Sequence, residues 1–265
     1  MVIQNMKEDY CLTSKDVVLA AIQSSNKNME DFKVDPNVLI IFSEALLSYL
    51  KQKAGLEQSD WLFPFHPYGS ERLHRGKYEN IPLTVIVPPM GASTMASVAE
   101  DLIFCGAKVI LLVCGSWGIG EKVELLDYII PTHSLGSDGT SIHYGRKLNE
   151  EIEINKEIVN IFIEETKKRN ENYHIGKNFC KEAFYRINKS EILELQKKGF
   201  ISMENGEVNV LATICKQRQI KFGVIFYSYY NPLEGWKISW KEDRYKYCVE
   251  LEGEIALTTI LRING

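Results

Sequence analysis

The stretch Val109-Ile-Leu-Leu-Val-Cys114, running into Gly115-Ser116-Trp117-Gly118, decides the fold class. An unbroken apolar run rich in β-branched residues buries both faces of a strand, and a strand covered on both faces belongs to a parallel sheet with helices above and below. The flanking segments repeat this logic. Val38-Leu-Ile-Ile-Phe42 precedes Ser43-Glu44, which caps a helix predicted through Lys53 and stopped at Gly55. Residues 56–80 hold turn residues and the aromatics Trp61, Phe63, Phe65 and Tyr68 and are read as a connection, after which Leu83-Thr-Val-Ile-Val87 gives a second buried strand followed by Pro88-Pro89-Met90-Gly91. The next helix starts at Ser93 or Thr94, carries Met95, Val98, Ala99, Leu102 and Ile103 at helical spacing, and ends at Gly106.

Downstream the alternation continues. Tyr128-Ile-Ile130 reads as a strand leading into a long loop to Tyr144. A charged amphipathic helix is predicted near 149–169, a strand near 173–180, a helix over Ser190–Lys198 and another over about 204–219. Phe222-Gly-Val-Ile-Phe-Tyr227 reads as a central strand, and a last helix spans about 241–261. The expected fold is a single-domain α/β/α sandwich with a mixed, mainly parallel central sheet, in which ligands bind beyond the carboxyl ends of the strands. Residues 1–36 are polar and weakly patterned and are read as an N-terminal extension, with the domain over 37–265 and its core beginning after Pro36. There is no internal repeat.

Composition narrows the function classes. The 265 residues are 45% hydrophobic, enough for a substantial core, and 31 Lys+Arg against 35 Asp+Glu leave a net charge of −4. A chain with no positive field has no general hold on a phosphate backbone, so nucleic acid is excluded as an expected partner. Six cysteines stand singly without metal-type spacing and are read as reduced. The first ten residues lack the apolar run of a signal peptide, and no stretch approaches the roughly 18 apolar residues of a membrane span. A cytoplasmic location and no membrane partner are expected.

Three strand-end segments are candidates for chemistry: Pro89-Met90-Gly91-Ala92, Gly115-Ser116-Trp117-Gly118 and Phe200–Glu204. Backbone amides of glycine turns hold oxyanions, and Ser116 would add a hydroxyl, although the same glycines also suit a tight strand exit. The order Gly115-x-x-Gly118-x-Gly120 is not a dinucleotide fingerprint, which disfavours a nicotinamide enzyme.

These segments, taken in order, resemble the nucleoside phosphorylase superfamily over residues 38–261, nearest its uridine phosphorylase-like branch. Pro89–Ala92 with Glu100-Asp-Leu-Ile and Gly106-Ala-Lys is similar to the family's glycine turn and "EELI…GAK" strand entry. Val113–Gly118 resembles "RVGTSGG", Asp138-Gly-Thr-Ser-Ile-His-Tyr144 resembles "DEGTSYHY", Ala183-Phe-Tyr-Arg186 resembles "DAPYRE", and Gly199-Phe-Ile-Ser-Met-Glu204 resembles "GVLAVEME". The resemblance implies cleavage of a nucleoside's N-glycosidic bond in a homodimer or dimer-based hexamer. No cofactor is implied, and phosphate is the possible co-substrate. Met203 and Glu204 would contact the ribose, the carboxylate favouring an oxocarbenium-like transition state. Met90, Gly91, Ser116, Trp117, Gly118, Phe179, Arg186 and Ser202 would complete the substrate site. A carboxylate at the start of the following helix has a purely structural use as well, on the order of 0.3–1 kcal/mol. His143 is read as a partly buried hydrogen-bonding residue, and Arg186 serves equally well as an ion-pair partner.

The phosphate side departs from the family's pattern. Phe42-Ser43-Glu44 stands where a Gly-Asp-Pro turn is usual, Val113 where "RVGTSGG" has arginine, and Gly136 where an arginine precedes "DEGTS". A desolvated phosphate needs several charge-assisted bonds of on the order of 1.5–3 kcal/mol each, so weak phosphate binding is expected. At the last central strand, Tyr227-Ser-Tyr-Tyr-Asn231 replaces the usual Ser-Asp, leaving Tyr229 and Asn231 beside the base as candidate catalytic groups with Glu204. Three functions follow: a nucleoside phosphorylase-like pentosyltransferase with an atypical phosphate site, a nucleosidase that uses water, and a non-catalytic nucleoside-binding descendant. The ligand in each is a small nucleoside or nucleobase. Tyr10-Cys-Leu-Thr13 lacks the histidine that in the family's N-terminal segment reaches a neighbour's site.

Overall fold

The apolar runs become the strands of one mixed sheet. The structure, a computed structural model, describes residues 10–61, 72–148, 150–183, 185–235, 237 and 239–265. The strands are β1 (Asn37–Ile41), β2 (Glu57–Ser59), β3 (Leu73–Tyr78), β4 (Ile81–Ile86), β5 (Val109–Gly118), β6 (Tyr128–Gly136), β7 (Ile152–Glu153), β8 (Tyr173–Cys180), β9 (Phe200–Glu204) and β10 (Lys221–Tyr230). The helices are α1 (Ser14–Gln23), α2 (Met29–Phe32), α3 (Glu44–Ala54), α4 (Ala92–Phe104), α5 (Lys156–Lys168), α6 (Lys189–Lys197), α7 (Glu207–Gln217) and α8 (Tyr245–Asn264). The centre is parallel through β4–β1–β5–β10, with Leu39 opposite Leu111 and Leu111 opposite Gly223. Beyond it, β10 turns onto β6 antiparallel, β6 and β8 run parallel to β9, and β9 returns antiparallel to β5. The path β5–β10–β6–β8–β9 therefore closes into a ring.

Three expectations are corrected. The strand from Val109 does not stop at Cys114: it continues through Gly118, pairing Gly115 with Tyr227, Ser116 with Ser228 and Gly118 with Ser202. The strand from Tyr128 runs on to Gly136, because Pro131 sits at a register shift against β8 and costs no ladder bond that a regular pairing would need. Residues 73–78, expected as part of a turn-rich connection, form an antiparallel hairpin strand against β4. The aromatics Phe63, Phe65 and Tyr68 lie outside the described residues.

The core also starts earlier than expected. Thr13 caps α1 with its backbone N–H donating to Asp16 at 2.8 Å, and Val18, Ala21 and Phe32 are buried in the main core. The two helices contribute few apolar residues, which is why their sequence reads as polar. No helix among the described residues is long and apolar enough to cross a membrane.

Packing of α5 on α8 is fixed by charge as well as by apolar contact. Glu165 is buried and accepts hydrogen bonds from Lys168 Nζ at 2.7 Å, Arg169 Nη1 at 2.8 Å and Arg262 Nη1 at 2.8 Å. Burial pushes its carboxyl up, but the three cationic donors outweigh that and hold it at about 2, below its ordinary 4.5. A depressed folded value contributes stability above the unfolded value and loses it as pH falls through the folded one. Urea unfolding of the parent between about pH 4.5 and 2 should therefore lose up to about 3 kcal/mol more than the same titration of Glu165→Gln; parallel pH profiles would refute this account of the α5–α8 contact.

Candidate active site

A cavity of about 480 Å³ opens at the carboxyl ends of β1, β5, β9 and β10. Its walls are Phe42, Ser43 and Glu44 after β1, Met90 before α4, Gly115 and Trp117 of β5, Met203 and Glu204 of β9, and Tyr227 and Tyr229 of β10. Lys181, Trp240 and Tyr245 lie among the remaining lining residues, with Asn205 following Glu204. This is where a sheet of this kind presents a ligand site.

Glu204 is the most heavily bonded side chain in the wall. One carboxylate oxygen accepts from Asn178 Nδ2 at 3.1 Å and from the Cys180 thiol. The other accepts from the backbone N–H groups of Gly206 (2.9 Å), Glu207 (2.7 Å) and Val208 (3.4 Å) at the start of α7. Five donors meet about four lone-pair sites, so the carboxylate is saturated by the protein itself. Burial and the neighbouring Glu207 carboxylate push its acid well above the ordinary range, while the Cys180 and Asn178 donors pull it back. Glu207 in turn accepts from the Gly91 N–H at 2.8 Å, tying the β9–α7 junction to the start of α4.

The structure brings together five of the residues expected to form the site: Met90, Trp117, Met203, Glu204 and Tyr229. Others lie elsewhere. Gly91 spends its amide on Glu207, and Gly118 spends its own position on the ladder with Ser202. Ser116 is buried on the face of β5 opposite Gly115 and Trp117, with no partner for its hydroxyl among the described residues. Ser202 is fully buried and donates to Asn178 Oδ1 at 2.8 Å. Phe179 packs edge-on against Phe200, centroids 5.8 Å apart, behind Met203.

Arg186 is exposed and off the cavity wall. Asn231 turns away: its Oδ1 accepts from Leu233 N at 3.0 Å and its Nδ2 donates to Glu234 at 3.2 Å. His143 is exposed rather than partly buried, and lies in a separate depression beside Tyr10 and Tyr144. Phe184 is outside the described residues.

The expected oxyanion loop is replaced by an aromatic floor. A Cβ at Gly115 would lie 2.8 Å from Tyr227 Cζ, so the glycine serves to seat the Tyr227 ring. Tyr227 meets Tyr245 edge-on at 5.9 Å, Trp117 meets Tyr230 edge-on at 5.4 Å, and Tyr229 stacks on Trp240 at 5.9 Å with planes 13° apart. Burial raises both Tyr227 and Tyr229 above the ordinary phenol value, which weakens them further as proton donors.

The two arginine positions are closed. Val113 is wholly buried in the core, and a Cβ at Gly136 would lie 2.6 Å from Asn209 Nδ2 and 2.7 Å from Asp138 Oδ2. Where β1 ends, Glu44 lines the cavity and pairs with Arg72. Lys181 lines it too, but is held by both oxygens of Glu191 at 2.6 and 2.5 Å. Glu44 and Tyr227 were visible in the sequence as departures from a pattern; Lys181, Trp240 and Tyr245 carried no motif at all.

This geometry, a ring-closed sheet with its cavity at the β1–β5–β10 strand ends, falls within a known family. The family model for the phosphorylase superfamily matches residues 38–239, and the chain belongs to that superfamily. Its nucleoside phosphorylases take phosphate as a substrate and need no cofactor. The chain is 29% identical over 114 residues to the uridine phosphorylase of Thermococcus kodakarensis, covering 43% of this chain and 41% of that protein. It is 26% identical over 149 residues to a DeoD-type 1 purine nucleoside phosphorylase of Shewanella oneidensis, covering 55% of this chain and 62% of that protein. The matched part thus spans less than two thirds of either curated relative. The solved uridine phosphorylase of Vibrio fischeri ES114, in complex with 6-hydroxy-1-naphthoic acid, superposes with a TM-score of 0.73 at 18% identity, over 88% of this chain and 93% of that one, a likeness of fold.

The saturated carboxylate makes a direct prediction. Glu204→Ala strands three backbone N–H groups and two side-chain donors, so it should lower the unfolding free energy by about 2–4 kcal/mol in urea titration. A loss below about 0.5 kcal/mol would mean that these hydrogen bonds hold nothing.

Proposed function

We propose that the protein binds a nucleoside in this cavity and cleaves its N-glycosidic bond with water, independently of phosphate. The observation that carries this is the closure of the anion cradle: Val113 in the core, no space at Gly136 and the Glu44 carboxylate at the end of β1. Among the described wall residues the one cation, Lys181, is held by both oxygens of Glu191, so a phosphate dianion entering here would find no unpaired cation to offset its desolvation. Water needs no such cradle.

In this reading Met203 packs against the sugar, and a ribose hydroxyl replaces the weakest donor on Glu204, the Val208 N–H at 3.4 Å. With its acid raised by burial and by Glu207, Glu204 then fixes the sugar by hydrogen bonds to its hydroxyls, holding C1′ in place as the bond to the base breaks. Asn178 and Cys180 fix the carboxylate from behind. The site residues we assign are Met203 and Glu204 for the sugar, and Trp117, Tyr229 and Met90 for the base. Assembly as a homodimer or dimer-based hexamer and a cytoplasmic setting are part of the same proposal, supported by the family.

A second function has an observation of its own. With five protein donors on Glu204, the carboxylate is complete without a ligand, which favours a descendant that binds a nucleoside and leaves it intact. One assay separates the possibilities: incubation with a panel of nucleosides, with and without phosphate, followed by chromatography for free base. Equal base release in both arms supports hydrolysis. Release that requires phosphate overturns it, and binding without release in either arm selects the non-catalytic descendant.

A further inference from the structure

On the basis of the water-dependent cleavage just proposed, we infer that Tyr227 and Tyr245 are its water-binding catalytic residues, their phenol oxygens holding the attacking water at the β1 end of the cavity. The cavity has two levels. Gly115 and Trp117 share one face of β5, and Tyr227 and Tyr229 share one face of β10, so each strand presents two wall residues spaced one pleat apart. The outer level, with Trp117, Met203 and Tyr229, is the one assigned to the base and the sugar. The inner level holds Gly115 with Tyr227 opposite it in register, Cys114, Tyr245 of α8, and Phe42 and Ala45 where β1 gives way to α3.

At the inner level the Tyr227 phenol lies over Gly115, where a Cβ would meet its hydroxyl oxygen at 3.0 Å and the ring carbon bearing it at 2.8 Å. A glycine turn would offer free amides to an anion at this spot. Here the backbone of Gly115 is paired with β10 instead, and a neutral hydroxyl stands over it. Tyr245 meets Tyr227 edge-on, with centroids 5.9 Å apart. Burial above all, with Tyr245, Glu252 and Cys114 beside it, keeps the Tyr227 phenol un-ionised. The other polar groups of the wall are engaged or placed elsewhere. Ser43 accepts from the Leu46 N–H at 3.3 Å, Glu44 pairs with Arg72, and Lys181 is held by Glu191. Burial pushes the Cys114 thiol well above its ordinary range, so it is no competing nucleophile. Asn205 follows Glu204 and belongs to the sugar level.

Two neutral acceptors suit a water nucleophile. With its hydrogens donated to the Tyr227 and Tyr245 oxygens, the water turns a lone pair toward C1′ of the sugar held on Met203 and Glu204. Its oxygen bonds to C1′ as the C1′–N bond breaks, and the electron pair of that bond stays on the base nitrogen. One proton leaves the water for solvent and one from solvent joins the base. Charge and protons balance, and neither phenol ionises.

Phosphate-free base release from uridine and adenosine, with calorimetric binding of the same two probes, tests this on the full chain. Tyr227→Phe and Tyr245→Phe keep the rings and remove the oxygens. Each should slow release about tenfold while changing Kd less than about twofold, and the two together should slow it about a hundredfold. In mixed water and methanol the ratio of methyl riboside to free ribose should rise in the variants, because methanol has one hydrogen to donate where water has two. A ratio that neither substitution moves overturns the assignment, whether the rate holds or falls, and leaves the nucleosidase standing. Release slowed only through weaker binding overturns it as well. If Tyr227→Phe does not fold, Tyr245→Phe decides by the same rate and ratio. A parent chain that releases neither base without phosphate removes the hydrolysis itself, and with it this role of the two phenols.

Discussion

The junction of β9 and α7 rests on one buried carboxylate. Glu204 joins the last residue of a ring strand to the first amides of a helix that is buried along most of its length, and through Asn178 and Cys180 it joins the same point to β8. Placing an ionisable group there is expensive unless every lone pair is met, and each is. Glu207, one turn on, carries the connection to the start of α4 by way of the Gly91 amide. The two strand ends and two helix starts that frame the cavity are therefore held by a pair of carboxylates and not by a ligand.

That arrangement leaves the opposite wall free to change. With Val113 folded into the core and Gly136 crowded by Asn209 and Asp138, neither position supplies a cation beside β5. The space is filled by rings instead. Gly115, without a Cβ, lets Tyr227 lie against the strand, and the rings of Tyr245, Tyr229 and Trp240 follow outward from it. The wall at this end of the sheet is therefore built mainly of aromatic faces rather than of cationic side chains.

Much of the fold was legible in the sequence because it is written in continuous apolar runs. Val109–Val113, Val38–Ile41 and Phe222–Phe226 are buried on both faces, and no other role suits them. The hairpin strand β3 was hidden because Leu73-His-Arg-Gly-Lys-Tyr78 is mostly polar and draws its order from β4 beside it. The continuation of β5 was hidden for a different reason: Gly115 and Gly118 look like a turn, and only the positions of the Tyr227 ring and the Ser228 hydroxyl show why the strand itself excludes a Cβ there. Of the cavity wall, the family-like segments supplied Met203, Glu204 and Trp117, which sit on regular strands. Asn231 and Arg186 follow the ends of regular elements, where a local turn overrides the register. Trp240 and Tyr245 come from the final stretch of chain and reach the cavity only through tertiary folding.

Closure of β5, β10, β6, β8 and β9 into a ring also governs how copies of this chain can meet. Each strand of the ring pairs with two neighbours, which leaves less of its ladder open to another copy than an open sheet would. Among the described residues the free margins are the three-residue β2, which reads Glu57-Gln58-Ser59, and the two-residue β7. Both are too short and too polar to template edge-to-edge pairing. With so little of its strand ladders at a free margin, the sheet favours association through side-chain surfaces over strand addition.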